Sequence, residues 1–418
     1  MTPFLFKDKK YIILLALLVL HIFLRFYEIE TKSSFLYDQV DSAWAAKRII
    51  VDHNFPLIGP ENKLSSGFFV GPLYYYAISI FYFFTNLDPI AAGLFAGFTS
   101  IIGFFTLFFV VKKLFTMPIA LIAVFINTVS YSAIEFDRVQ WEVNFIPLIS
   151  LLAFYFLYKI LLGSEKHILY LAIVVALAFH IHLTVAVFLP LIILFTLPFF
   201  PKTKKTFLHI LLSIPILAVS LSPIIIVNLL NTNKYALNQI SYIGSSFHGL
   251  HLTRVLQLFT SAFIQIEAFT INPIMRILGW FVLPVFFVIH FLNIPTKKGF
   301  VMVSLVFLYF LIPWLVLSTY SGEVTNYYFS TNRFLGVMIA SFIIYKLLEV
   351  KNKFITLFII VFAIYYAYIG INKFLAIRTV GLQNYRAFVL DKIKKGEVIE
   401  FEQGSPFSYF YYLYTREK

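Results

Sequence analysis

The sequence predicts an all-α polytopic membrane protein with about eleven transmembrane helices, one short re-entrant or interfacial helix, and a large first extracytoplasmic loop carrying an amphipathic helix. Three observations carry this. The chain is 60% hydrophobic over 418 residues with a mean hydropathy of +0.87, against roughly half apolar in an ordinary globular domain. Its apolar runs, among them Tyr11 to Phe26, Pro89 to Val111, Met117 to Ile134 and Val301 to Ser318, approach or exceed the roughly 17 to 25 residues a spanning helix needs. Lysines and acidic residues sort onto alternate breaks between those runs.

The first run has no small-residue cleavage site before the polar stretch that follows, so it reads as a retained span rather than a signal peptide. Breaks at Lys7 to Lys10, Lys112 and Lys113, Gly163 to His167, Pro201 to Lys205, Pro295 to Lys298 and Glu349 to Lys353 are placed in the cytoplasm by the positive-inside tendency. The breaks between them then lie outside: Tyr27 to Val70, Glu135 to Val143, His180 to Thr184, Val227 to Thr270, Tyr320 to Arg333, and the tail after Asn372. The N-terminus is therefore expected in the cytoplasm and the C-terminus outside. Leu73 to Phe84 breaks the alternation; at about a dozen residues it is too short to span, and is expected to be re-entrant or interfacial.

Residues 1–378 are expected to form the transmembrane domain, with 27–70 as its first outer loop and 227–270 as its second long one, and 379–418 as a short outer tail. In that tail Val398 to Glu402 and Ser408 to Tyr414 alternate weakly in the manner of short strands. The excess of 33 Lys and Arg over 20 Asp and Glu is absorbed by the loop lysines, so no nucleic-acid partner is expected. Cysteine is absent, which removes disulfides and thiolate metal sites. No phosphate-loop, dinucleotide or zincin motif occurs, so ATP drive, a dinucleotide fold and zincin chemistry lack support.

The segment from Glu135 to Glu142 contains four charges, which at the centre of a membrane helix would together cost on the order of 10 kcal/mol. It must sit in water or in a polar cavity, where Glu135, Asp137 and Glu142 offer Arg138 salt bridges. The first outer loop carries most of the chemistry. Asp38 stands at the start of a helix-compatible stretch and Asp41 follows at i+3 on the same face. The pair reads either as an N-cap with a dipole-favoured neighbour or as carboxylates held at the bilayer surface, with Asp38 as a general base. Ala43, Trp44, Ala46, Ile49 and Ile50 form the apolar side on which this helix would lie in the interface.

Tyr37-Asp38-Gln39, Gly59-Pro60 and Gly71-Pro72-Leu73-Tyr74-Tyr75-Tyr76 resemble the GT-C glycosyltransferases, integral membrane enzymes using polyprenyl-phosphate-linked sugars. The closest resemblance is to the glycosyltransferase family 39 group, relatives of the protein O-mannosyltransferases. The likeness covers the whole chain in topology, and its specific motifs lie in the first third. It implies a polyprenyl-phosphate sugar donor and transfer, with inversion, to a hydroxyl or amine on a lipid, glycan or protein acceptor. The site would face outward from a prokaryotic plasma membrane, with Asp38 as base. Many members carry Asp-Glu where this chain has Asp38-Gln39, which leaves Asp41 or Glu61 to supply a second carboxylate.

A departing phosphate needs a cation or hydrogen-bond donors. Arg333, at the outer start of a span, is the first candidate or else an interfacial anchor; Arg138 is the second, and His182 either contacts the donor phosphate or hydrogen-bonds its own turn. Gln39, Glu61, Tyr74, Tyr75, Trp141 and Tyr328 are the expected substrate-lining residues. No cofactor is firmly expected and no metal ligands are assigned, a divalent cation (Mg or Mn) being left open. The rival readings are a glycolipid flippase or transporter, and a polymerase or ligase of lipid-linked glycans.

Overall fold

A computed structural model describes residues 9–62, 66–231, 234–263, 273–292 and 296–416. Among the described residues it contains helices and two isolated bridges, Glu61 with Phe69 and Phe247 with Tyr320, but no strand ladder. The protein is an all-α membrane protein.

The chain opens with α1 (Lys9–Phe26), a single turn α2 (Ile29–Lys32) and the acidic helix α3 (Tyr37–Ile50). An extended stretch leads to α4 (Leu73–Phe84), then α5 (Ile90–Leu114), α6 (Met117–Val129), α7 (Tyr131–Arg138), α8 (Ile146–Leu161), α9 (His167–Ala178), α10 (Leu183–Thr196) and α11 (Lys204–Leu230). The rest comprises α12 (Lys234–Ser246), α13 (Leu252–Phe263), α14 (Pro273–Leu292), α15 (Lys297–Ser318), α16 (Arg333–Glu349), α17 (Lys353–Ala376), α18 (Leu382–Lys394) and α19 (Pro406–Thr415).

By length and composition six helical segments among the described residues can cross a membrane, and seven if α6 and α7, bent by 68° at Ser130, count as one span. The bend has a local cause. Ser130 is extended, and its hydroxyl accepts the Ala133 amide to start a new helix, as an N-cap does. Several of the eleven expected crossings coincide with shorter helices such as the 12-residue α9 and the 14-residue α10. At 1.5 Å per residue, the 12-residue α4 is roughly 18 Å long against a hydrocarbon core of roughly 30 Å.

The main core joins α5, α6, α8, α9, α10, α15 and α16 around Phe104, Val124, Phe154, Leu189, Leu305 and Leu335. A second core holds the acidic helix. Ala43, Ala45 and Ala46 are fully buried, and their small side chains let α3 pack closely on α4, with Tyr82, Tyr409 and Phe410 completing the cluster. The apolar side of α3 therefore lies against protein, not in the lipid interface as its amphipathicity suggested.

The tail also departs from expectation. Residues 408–414 belong to α19, and Val398 to Glu402 form no strand. Trp44 meets Tyr409 edge-on at 5.0 Å. The Tyr409 hydroxyl donates to the Leu87 carbonyl at 2.9 Å, and Arg386 pairs with Asp88 at 3.0 Å. This clamps the α4–α5 turn, where Asn86 and Leu87 both take positive φ.

The loops read as outer gather at one end. The Gly71 amide donates to the Phe179 carbonyl at 2.9 Å, the Leu183 amide to Asn62 Oδ1 at 3.0 Å, and Gln239 Nε2 to the Gly67 carbonyl at 2.8 Å. The two Gly-Pro pairs meet here: a side chain on Gly59 would lie 2.6 Å from the Gly71 carbonyl oxygen, and one on Gly71 would strike the His180 ring. Both positions need glycine for this close approach.

Candidate active site

Asp38 sits in the first turn of α3. It is exposed and has no hydrogen-bond partner among the described residues. Protein nevertheless crowds its flanks, and the loss of water there, followed by the charge of Asp41, raises its pKa above the ordinary aspartate value. Exposure sets what a substrate can reach, and crowding sets the direction of the shift. Asp41, one turn further on, accepts a 2.5 Å hydrogen bond from the Tyr75 hydroxyl of α4.

Gln39 and Tyr74 are buried, and both end on Gln140 in the linker between α7 and α8. Gln39 Nε2 donates to the Gln140 carbonyl at 2.8 Å while Gln39 Oε1 accepts the Leu36 amide at 2.9 Å. Gln140 Nε2 donates to the Tyr74 hydroxyl and to Ser42 Oγ at 3.1 Å. Glu142, two residues on, adjoins Asp38 and Asp41 as well as Tyr74 and Tyr75. A cluster of Asp38, Asp41, Glu142, Tyr74 and Tyr75 thus forms where α3, α4 and the linker meet.

Beside it runs a row of rings. Trp141 packs on Tyr327 at 4.7 Å, Tyr327 on Tyr328 at 4.7 Å, and His182 lies 5.9 Å from Tyr327 and 6.2 Å from Tyr328. His182 Nδ1 accepts the Thr184 amide at 3.2 Å, and burial lowers its pKa to about 4, so it is neutral at pH 7. His182 and Tyr328 border an apolar cavity with Asn62, Tyr242 and Tyr320. Asp38 does not border that cavity and is itself exposed.

Three expected residues are occupied elsewhere. Glu61 accepts the Gly67 amide at 2.8 Å and closes its own loop. Arg333 contacts Asp137 at 3.1 Å, and Asp137 also takes Arg25 at 2.8 Å. Arg138 does not pair with Glu135, Asp137 or Glu142 among the described contacts. Its guanidinium donates to the carbonyls of Leu24, Arg25 and Glu28 and covers the Phe374 ring at 4.9 Å. This arginine cluster ties α1, α7 and α16 together.

Among the described residues no three His, Cys, Asp or Glu side chains converge as metal ligands. Asp38, Asp41 and Glu142 adjoin without forming such a set. Sequence reasoning missed Gln140 as a partner of α3 and α4, and Arg25 as a partner of Asp137. The polarity of residues 135–142 did mark that segment as one needing a polar setting.

No family model matches this sequence, and no curated protein matches it. Similarity to solved structures is clear, however. ArnT from Cupriavidus metallidurans bound to undecaprenyl phosphate superposes with a TM-score of 0.58 at 10% identity, over 92% of this chain and 72% of that one. ArnT in the apo state gives 0.55 at 10% identity, over 78% of this chain and 58% of that one. The Archaeoglobus fulgidus oligosaccharyltransferase in complex with Zn and sulfate gives 0.55 at 11% identity, over 95% of this chain and 58% of that one. The chain thus spans under two thirds of two of these three. It shares its fold with ArnT and with the archaeal oligosaccharyltransferase.

Proposed function

We propose that this protein transfers a sugar from a polyprenyl-phosphate donor to an acceptor hydroxyl or amine on the extracytoplasmic side of the membrane. The observation that carries the reading is Asp38: exposed, without a described partner, raised in pKa, and beside an Asp41 already engaged by Tyr75. Such a carboxylate is free to take the acceptor's proton. As the acceptor oxygen or nitrogen bonds to the anomeric carbon, its proton passes to Asp38. The bond from that carbon to the phosphate oxygen breaks, its electron pair leaves with polyprenyl phosphate, and the configuration inverts.

Support for a lipid-phosphate donor comes from the fold, shared with an ArnT that was solved with undecaprenyl phosphate. The linker from Asp137 to Glu142 separates the carboxylates from the cationic side, where Arg25, Arg138 and Arg333 are held in structural contacts, so the leaving phosphate is placed on the linker side of Asp38. The acidic end is assigned outside because the lysine-bearing breaks fall on alternate connections. A mannose-like hexose is the sugar that the family resemblance favours.

A second reading, a glycolipid transporter without transfer chemistry, draws on the 68° break between α6 and α7 followed by the buried Asp137 and its two arginines, since broken helices with ionisable groups mark transport sites. Purified protein in lipid nanodiscs, given radiolabelled polyprenyl-phosphate mannose and a mixture of membrane lipids, separates the two. Label moves onto acceptor with wild type and falls by about 10²-fold or more with Asp38→Asn. Full transfer by Asp38→Asn removes the base assignment, and movement of intact donor across the bilayer without transfer favours the transporter.

A further inference from the structure

The residue after Asp38, the residue after Asp41 and the residue before Tyr75 all bond to one side chain or its backbone. Gln39 reaches the Gln140 carbonyl at 2.8 Å, Ser42 Oγ meets Gln140 Nε2 at 3.1 Å, and the Tyr74 hydroxyl meets the same nitrogen. We propose that Gln140 is the positioning residue that sets Asp38, Asp41 and Tyr75 relative to one another. This rests on the reading of Asp38 as the base.

Neighbouring residues on a helix are offset by about 100° and 1.5 Å, so pinning Gln39 and Ser42 fixes both the rotation of α3 and its position along its axis. Holding Tyr74 from the same point fixes α4 against it. All four partners are sealed from solvent: Gln140 is 2% exposed, Gln39 3%, Ser42 3% and Tyr74 4%.

Gln140 is itself held. Asn144 Nδ2 donates to the Phe136 and Val139 carbonyls at 2.8 and 2.6 Å, and Asp137 is gripped by Arg25 and Arg333. The placement of α3 is thereby referred to the ends of α1 and α16. A packing role alone would suit an apolar residue. Here an amide is buried with Oε1 lacking a partner among the described residues, which costs free energy that its other bonds must offset. Turning the amide over swaps donor for acceptor and leaves the same three neighbours held.

The test reads the surroundings of Asp38 without a substrate. Carbodiimide attacks protonated carboxyl groups, so adduct formation at Asp38, measured against pH by peptide mass spectrometry on the full chain in nanodiscs, reports its protonation. Asp41 on its own helix is the charged group that acts on it, and Glu142 on the linker and Tyr74 on α4 are the titratable groups that adjoin it. With Gln140→Leu, Ser42 and Tyr74 lose the side chain they share while Gln39 keeps only the backbone carbonyl; α3 is less firmly held against α4, Asp38 is less crowded, and the labelling midpoint moves to lower pH. Gln140→Asn, whose amide is too short to reach both hydroxyls, shifts it the same way and serves if the leucine variant is not monodisperse.

A monodisperse variant that keeps the wild-type labelling profile overturns the proposal. So does a wild-type Asp38 that titrates like a free aspartate, since there is then no special placement to maintain. If Asp38→Asn retains full transfer while the Gln140 variants shift as described, the catalytic reading fails and the positioning role stands.

Discussion

The Tyr75 hydroxyl donates to Asp41 across 2.5 Å, and this bond distinguishes two carboxylates that stand one turn apart on one face of α3. Asp41 is committed to the α3–α4 contact; Asp38, on the same face one turn earlier, is left for a substrate. Tyr75→Phe leaves a charged acceptor without its donor, at a cost of about 2 kcal/mol. Thermal unfolding in detergent should show a lower midpoint for Tyr75→Phe, and an unchanged midpoint would mean the bond contributes nothing.

The raised pKa of Asp38 fixes the sign of a pH effect. A base works ionised, so transfer falls as pH drops through the folded-state value, which lies above that of an ordinary aspartate because protein crowding its flanks removes water and because of the charge of Asp41. Replacing Asp41 by Asn removes one contribution, and the acid limb of the rate profile should move to lower pH. Stability runs the other way. A carboxyl whose folded pKa exceeds its unfolded one favours folding fully only below the unfolded value, and that contribution is lost as pH rises through the folded value. Asp38→Asn should therefore unfold at pH 7 no earlier than wild type while losing activity, the pattern of a functional group and not of an N-cap.

Asp137 stands between Arg25, 1% exposed, and Arg333, 5% exposed. Removing one member of a buried ion pair costs about 3–5 kcal/mol because the remaining charge stays buried. Asp137→Ala should give poorly folded protein with a much lower melting temperature, judged by size-exclusion profile and thermal scan. Stable Asp137→Ala would contradict a structural role for the arginine cluster.

Phe410 is fully buried between the tail and α3. Truncating it to Ala should cost about 3–5 kcal/mol by analogy with other core aromatics. It should also open the α3 face to protease, seen as new cleavage between residues 34 and 60. Resistance equal to wild type would mean that the tail merely rests on the acidic helix.

The sequence exposes the span-like helices, the acidic first loop and the short α4, because each depends on local hydropathy and spacing. It singles out Asp38 as a candidate because a charged residue beginning an amphipathic helix can be seen without partners. What it conceals is pairing over distance. Arg333 begins a helix at the expected place but turns inward to Asp137, 196 positions away, and Gln39 serves as a strut to Gln140, 101 positions away. The apolar stripe on α3 has the same pattern whether it faces lipid or α19. In the tail, the weak alternation of Ser408 to Tyr414 gives way to helix because α19 can then seat Tyr409 and Phe410 together in the second core.

The most direct measurement is a cryo-EM map of Asp38→Asn in nanodiscs with polyprenyl-phosphate mannose. The account predicts sugar density beside residue 38, within about 3 Å of the side chain, and phosphate density on the side nearer the Asp137 to Gln140 linker. Donor bound with its anomeric carbon far from α3, at a site of its own elsewhere in the bundle, would contradict it.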